Sequence, residues 1–205
     1  MDRRKATGRV FAENERSINS GYFPIFAPLI ASAVFMETAQ PTLILNAEQI
    51  RQKIRRIAFQ IYENNFGETD LFLAGIAGEG YMLAQALAQE LKLIAPFSVE
   101  LIQIDLDKTQ PSQPVVQPDR PTSEFTDKVI IVIDDVLYTG RTLAFSLQPF
   151  LTVPVRKLQV AVLIDRNYPR YPVAADYKGY ELSTTLTEHV DVVLSNSSDM
   201  GVYLR

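Results

Sequence analysis

Residues 129–142 read VIIVIDDVLYTGRT: the β-branched run Val129, Ile130, Ile131, Val132 and Ile133, two adjacent carboxylates, then a Thr-Gly-Arg-Thr turn. An apolar run with no polar alternation reads as a strand covered on both faces, the habit of parallel sheets. The strand is expected to end at Asp134 and Asp135. Ligands usually bind where the carboxyl ends of parallel strands meet loops and helix N-termini. There, Thr139 and Thr142 offer hydroxyls, Gly140 lets the backbone approach an anion, and the amides opening the next helix carry partial positive charge. The carboxylates accept hydrogen bonds from vicinal hydroxyls and can face a hard divalent cation. A sugar phosphate suits this combination.

The chain around this segment alternates helix and strand patterns. Asn46 with Gln49 three residues on forms a helix-opening signature, and Ile50, Ile54, Ile57, Ala58 and Ile61 make one apolar stripe that predicts a helix ending near Asn65 and Gly67. Leu71–Ile76 reads as a buried strand, residues 75–80 as a glycine-rich turn, and Leu83, Ala84, Leu87, Ala88 and Leu91 as the apolar side of a second helix. A strand of weaker alternation covers residues 99–104, and LQVAVLI at 158–164 is another buried strand, terminated by Asp165 and Arg166. Between them, residues 105–127 hold four prolines and read as a long loop or mobile hairpin, a length that often serves as a lid. The rhythm predicts an α/β fold with right-handed crossovers and a parallel sheet flanked by helices.

Composition narrows the chemistry. Twenty basic against 24 acidic residues leave a net charge of -4, so no overall field draws the chain to nucleic acid. Cysteine is absent, which excludes disulfides, thiolate metal sites and cysteine nucleophiles and fits a reducing, cytoplasmic compartment. A single histidine argues against a catalytic triad or a multi-histidine metal site. The 205 residues suffice for one domain over 41–205, preceded by an extension or packing arm over 1–40. Within that arm, the apolar run from Tyr22 to Phe35 is interrupted by Pro24 and Pro28 and falls short of the roughly 20 residues needed to cross a bilayer.

The 129–142 segment closely resembles the phosphoribosyl pyrophosphate (PRPP) signature of type I phosphoribosyltransferases, and its VLYTGRT ending is most similar to the PyrR family of bifunctional pyrimidine regulators and uracil phosphoribosyltransferases. Supportive likeness runs through LFLAGIAGEGYMLAQALAQEL and LQVAVLIDRNYPRYPVAADYKGYELST, so that residues 46–194 are covered. The resemblance implies the type I fold with a small hood and a long flexible loop, and transfer of ribose 5-phosphate from PRPP to a nucleobase with Mg²⁺. It gives Asp134 and Asp135 the ribose hydroxyls and the metal, as the catalytic carboxylates. Leu137, Tyr138, Thr139, Gly140, Arg141 and Thr142 take the 5′-phosphate loop, and Ala77, Gly78, Glu79 and Gly80 the pyrophosphate loop. His189 and Val190, next to Glu188, fall in the base-binding hood. A homodimer is also implied, and RNA binding is a family property that the acidic balance of this chain does not support.

Three regions depart from the pattern or refine it. Ala77 and Glu79 stand where relatives place basic residues, and a carboxylate beside pyrophosphate is repulsive unless it points away or a magnesium ion intervenes. The long loop offers Lys108 and Arg120 in place of a clear closing arginine, and solvent exposure is the expectation for both. Tyr138 occupies the place of the aspartate that purine-specific relatives direct at the purine ring, which points to a pyrimidine. The alternative is a catalytically weak regulator that senses PRPP or a nucleotide.

Overall fold

The structure, a computed structural model, describes residues 41–106, 116–183, 188–196 and 198–205. The expected arm over residues 1–40 and Lys108 lie outside the described residues.

Asn46 opens the first helix by a reciprocal cap: its side chain accepts from the Gln49 amide, and the Gln49 side chain accepts from the Asn46 amide, each at 2.9 Å. The helix α1 (Ala47–Asn64) buries Ile50, Ile54, Ile57, Ala58 and Ile61, the stripe the periodicity predicts. It follows β1 (Thr42–Asn46) and precedes β2 (Asp70–Ile76), α2 (Glu79–Ile94) and β3 (Ser98–Asp105). A short edge strand β4 (Gln117–Pro118) and a 3₁₀ turn (Thr122–Phe125) lead to β5 (Val129–Leu137). After β5 come the short helices α3 (Arg141–Ser146) and α4 (Gln148–Leu151), then β6 (Lys157–Asp165), β7 (Tyr177–Glu181), β8 (Val190–Val193) and β9 (Gly201–Leu204).

The main sheet has the order β4-β3-β2-β5-β6-β7, with every pairing parallel except the antiparallel edge β3–β4. β5 lies at its centre, and both its faces are covered. Leu71, Leu73, Val129, Ile131 and Ile133 join the cluster of α1 and α2, while Phe72, Ala74, Ile130 and Val132 pack with Phe125, Leu143 and Phe150. Each such large side chain, fully removed from water, contributes about 1.5–3 kcal/mol before entropy is counted. That two-sided burial is why the strand carries no polar alternation.

One expectation is corrected. The strand does not stop at the acidic pair: parallel pairing continues through Asp134 with Val162, Val136 with Ile164 and Leu137 with Asp165, because β6 is long enough to hold it. Of the two forms expected for the segment 105–127, the described residues take the hairpin. Ile104 pairs with Pro118 and Asp105 with Gln117 to make the base of a hairpin, and Phe125 is fully buried beyond it. The hood is an antiparallel sheet ordered β1-β9-β8, so its far strand comes from the start of the domain. No helix among the described residues is long and apolar enough to cross a membrane.

Close packing of α2 on the sheet depends on Gly75. A Cβ there would stand 2.7 Å from the Tyr81 Cα and 2.9 Å from the Ala84 Cβ, so the helix would have to move. Gly75→Ala is therefore expected to cost about 1–3 kcal/mol of stability, the usual range for overpacking, in urea denaturation; an unchanged midpoint would contradict the close approach.

Candidate active site

The site grows from the ends of β2, β5 and β6, where three connections meet. The first is the turn into α2. Gly78 has φ +95°, and the Ala77 amide donates to the Ile104 carbonyl at 2.9 Å. That bond removes Ala77's N–H from any anion and leaves the amides that follow it as the candidates. The turn reaches the acidic pair: a Cβ placed on Gly80 would lie 3.2 Å from Asp134 Oδ1. Pyrophosphate-loop and ribose positions, 54 residues apart in sequence by their numbers 80 and 134, are thus neighbours.

The second connection is the turn after β5. Asp134 is only 3% exposed, and it lines two cavities together with Thr142. Its Oδ1 accepts the Asp135 amide at 3.2 Å. Gly140 takes the left-handed conformation (φ +79°, ψ 0°), and the Thr139 hydroxyl oxygen accepts the Arg141 amide at 3.3 Å. The turn encloses a cavity of about 110 Å³ lined by Asp134, Val136, Leu137, Tyr138, Thr139, Gly140, Arg141, Thr142 and Leu143. At about 30 Å³ for each water in the liquid, this is room for a few polyatomic oxygens, the scale of one phosphate group.

The third connection follows β6 and braces the second. The Thr139 carbonyl accepts the amides of Arg170 at 2.9 Å and Tyr171 at 3.0 Å. Arg166, 4% exposed, lays its guanidinium 4.0 Å from the centroid of the Tyr138 ring, and Tyr168 stacks on the same ring at 5.4 Å. Tyr138 is therefore held between a cation and a second aromatic ring. Asp165 and Arg166 do not serve each other in this arrangement. Asp165 meets Lys178 at 2.8 Å and the Asn167 amide at 2.9 Å, whereas Arg166 donates to the Glu188 carbonyl at 2.8 Å.

A larger cleft of about 550 Å³ joins these parts to the hood, lined by Asp134, Asp135, Tyr138, Thr142, Arg166, His189 and the four residues of β8 among others. His189 does reach this cleft, but its side chain is 74% exposed and sits 3.2 Å from Asp191, which Arg205 also holds at 2.6 Å. Val190 is buried in the core beneath the hood while lining the same cleft. Arg166, a strand terminator that the sequence offered either as a lining residue or as a partner of Asp165, lines the cleft. Its signal was a cation placed one residue beyond a buried strand that neighbours the signature.

One sequence expectation changes here. The Glu79 carboxylate, expected to face pyrophosphate, turns to the hood instead: Oε2 accepts the amides of Leu194 at 2.7 Å and Ser195 at 3.1 Å, and Oε1 accepts the Ser195 hydroxyl at 2.7 Å. Arg120 keeps the expected exposure, its side chain being 38% exposed, while it pairs with Glu100 at 2.6 Å and lies over Phe72 at 6.0 Å. Glu100 raises its pKa. Lys178 is likewise raised, chiefly by its bond to Asp165.

A parallel sheet that gathers an acidic pair, a phosphate-sized turn and a glycine-rich turn under a small hood defines a class, and residues 42–195 match the family described as Phosphoribosyl transferase domain. The chain belongs to the phosphoribosyltransferase family and is a PRPP-dependent phosphoribosyltransferase. Within that family it is similar to proteins named Bifunctional protein PyrR. The Bacillus velezensis protein is 36% identical over 165 residues, which span 76% of this chain and 91% of that one. The Deinococcus radiodurans protein is 33% identical over 172 residues, 80% of this chain and 94% of that one. Among solved structures, a hypoxanthine-guanine phosphoribosyltransferase from Bacillus anthracis superposes with TM-score 0.65 at 17% identity, covering 80% of this chain and 98% of that one. The Trypanosoma cruzi hypoxanthine phosphoribosyltransferase in complex with IMP gives TM-score 0.66 at 20% identity, over 82% and 86%. At such identities the likeness is one of fold.

Gly140→Ala places a side chain in the left-handed region, which costs about 1–3 kcal/mol. The expected outcomes are a lower melting temperature and weaker PRPP binding by calorimetry; unchanged values in both would contradict the strained turn.

Proposed function

We propose that this chain transfers ribose 5-phosphate from PRPP to a ring nitrogen of a pyrimidine base, uracil being the leading candidate, with release of pyrophosphate. The observation that carries the reading is the position of Asp134, which shares one cavity with the 139–142 turn and has Gly80 of the glycine-rich turn as its neighbour. In this reading Asp134 and Asp135 accept hydrogen bonds from the ribose hydroxyls, the amides and hydroxyls of Leu137 to Thr142 take the 5′-phosphate, and the amides from Gly78 to Gly80 face pyrophosphate. Val190 and its neighbours in β8 border the base, with His189 at the rim. The pyrimidine assignment rests on Tyr138, whose ring is packed between Arg166 and Tyr168, in place of a carboxylate aimed at a purine.

In the reaction, the bond between the ribosyl C1′ and the pyrophosphate oxygen breaks, the ring nitrogen forms the new bond to C1′, and its N–H proton is released. Charge develops on the ribose as an oxocarbenium ion, so the protein contributes mainly alignment and fixed electrostatics. The paired carboxylates hold the sugar and place negative charge beside the developing cation. Two adjacent carboxylates also fit Mg²⁺, which keeps several waters and is shared with substrate phosphates rather than caged by protein ligands. The described residues contain no group of three or more metal-ligating side chains, in keeping with that mode. When bound, the ion would neutralise part of the pyrophosphate charge. Homodimerisation and a cytoplasmic setting belong to the same proposal, from the family likeness and the lack of cysteine.

A second reading is favoured by a specific feature of the pyrophosphate turn. Ala77 and Glu79 supply no cation there, and the Ala77 amide is already engaged. A chain of this kind could bind PRPP and turn over slowly, as a regulator. One assay separates the two: pyrophosphate release from PRPP with uracil, orotate, hypoxanthine, guanine and adenine. Release with uracil is the expected result, release only with a purine would defeat the pyrimidine assignment, and binding without turnover would favour the regulator. Calorimetry supplies the companion test, since Asp134→Asn with Asp135→Asn is expected to weaken PRPP binding at least about tenfold, the scale of lost hydrogen bonds to a charged group.

A further inference from the structure

The strand β8, whose four residues line the cleft, is tethered to the main sheet at both ends by charged side chains. At its start, Arg166 donates to the Glu188 carbonyl at 2.8 Å. At its finish, Glu79 accepts three hydrogen bonds from Leu194 and Ser195, between 2.7 and 3.1 Å. Both tethers spring from the PRPP side of the site. Arg166 stacks on Tyr138 of the phosphate turn, and Glu79 is the first residue of α2, beside the glycine that approaches Asp134. Hydrogen bonds to an ionised carboxylate are about twice as strong as neutral ones, and a carboxylate with three donors has little freedom to swing toward another anion.

We propose that Glu79 is a positioning residue that fixes the hood strand at its distance from the PRPP cradle, and so governs binding of the base rather than contacting pyrophosphate. The inference rests on the phosphoribosyl-transfer reading and deepens it. It also explains how an acidic residue is tolerated in this turn: its charge is spent on the hood, 115 and 116 residues further along the chain. Two simpler roles compete. As an acidic residue in the first turn of α2, Glu79 could act only on the helix dipole, or it could repel pyrophosphate.

Two conservative variants separate these roles, because one keeps the charge and the other keeps the reach. Glu79→Asp retains the carboxylate but is one methylene too short to keep all three bonds. Glu79→Gln loses the charge, yet its oxygen can accept the two amides and its nitrogen can donate to the Ser195 hydroxyl oxygen. Three quantities are measured on the full chain: hydrogen exchange at the amides of Leu194 and Ser195, PRPP affinity by calorimetry, and the KM for the base. For E79D we expect about tenfold faster exchange and about a tenfold higher base KM, with PRPP affinity within about twofold of wild type. E79Q, whose three bonds are neutral and so weaker, should fall between wild type and E79D in exchange and in base KM, with PRPP affinity within about twofold of wild type. The proposal is overturned if E79D behaves as wild type, or if E79Q binds PRPP several-fold more tightly. Should the wild-type chain bind PRPP without turning over any base, the transfer reading fails by itself, and exchange at 194 and 195 still decides the latch.

Discussion

The arrangement of this protein depends on the uninterrupted pairing of β5 between β2 and β6. Pairing with β2 runs from Val129 to Ile133, and pairing with β6 continues to Leu137. Because β6 continues alongside, Asp134 and Asp135 stay within the strand, and Val136 and Leu137 still pack on the two apolar clusters before the chain turns. Parallel strands place all their carboxyl ends on one edge, so the exits of β2, β5 and β6 open together. A mixed or shorter pairing would scatter them. Burial of Asp134 is offset in part by the Asp135 amide, which donates to its Oδ1.

The hood completes the site by a different principle. Leu45, Val190, Val192, Leu194 and Val202 bury its inner face in the cluster of α1 and α2, and among the described residues charged side chains add to this hold. β1 feeds straight into α1 through the Asn46 cap, Arg166 secures the start of β8, and Glu79 secures its end. In the proposed reading the base lies between the two sheets, and its distance from the phosphate turn is then set partly by Arg166 and Glu79.

Much of the main sheet was legible in the sequence because burial imposes local patterns. The continuous apolar run of β5, the 3.6-residue stripe of α1 and the cap at Asn46 each report their own environment. What stayed hidden were partners. Nothing local in TLILN at residues 42–46 reveals that Thr42 pairs with Leu204, and nothing around Glu79 points to Leu194. A charged residue next to a glycine turn looks the same whether it faces a ligand or a distant amide. For the same reason Arg120 read correctly as exposed while its partners Glu100 and Phe72 stayed hidden. The extent of β5 was misjudged because carboxylates depress strand propensity, and pairing with β6 overrides that preference.

The central claim is that one turn takes a phosphate while the acidic pair beside it takes a sugar's hydroxyls. The most direct measurement is a crystal structure of the chain with ribose 5-phosphate. The account predicts the phosphate seated on the amides and hydroxyls of residues 139–142, with the ribose 2′ and 3′ oxygens within hydrogen-bond distance of Asp134 or Asp135. A ligand bound instead in the separate cavity of about 280 Å³ behind Tyr138, between Asn167 and Lys178, or a sugar turned away from both carboxylates, would contradict it.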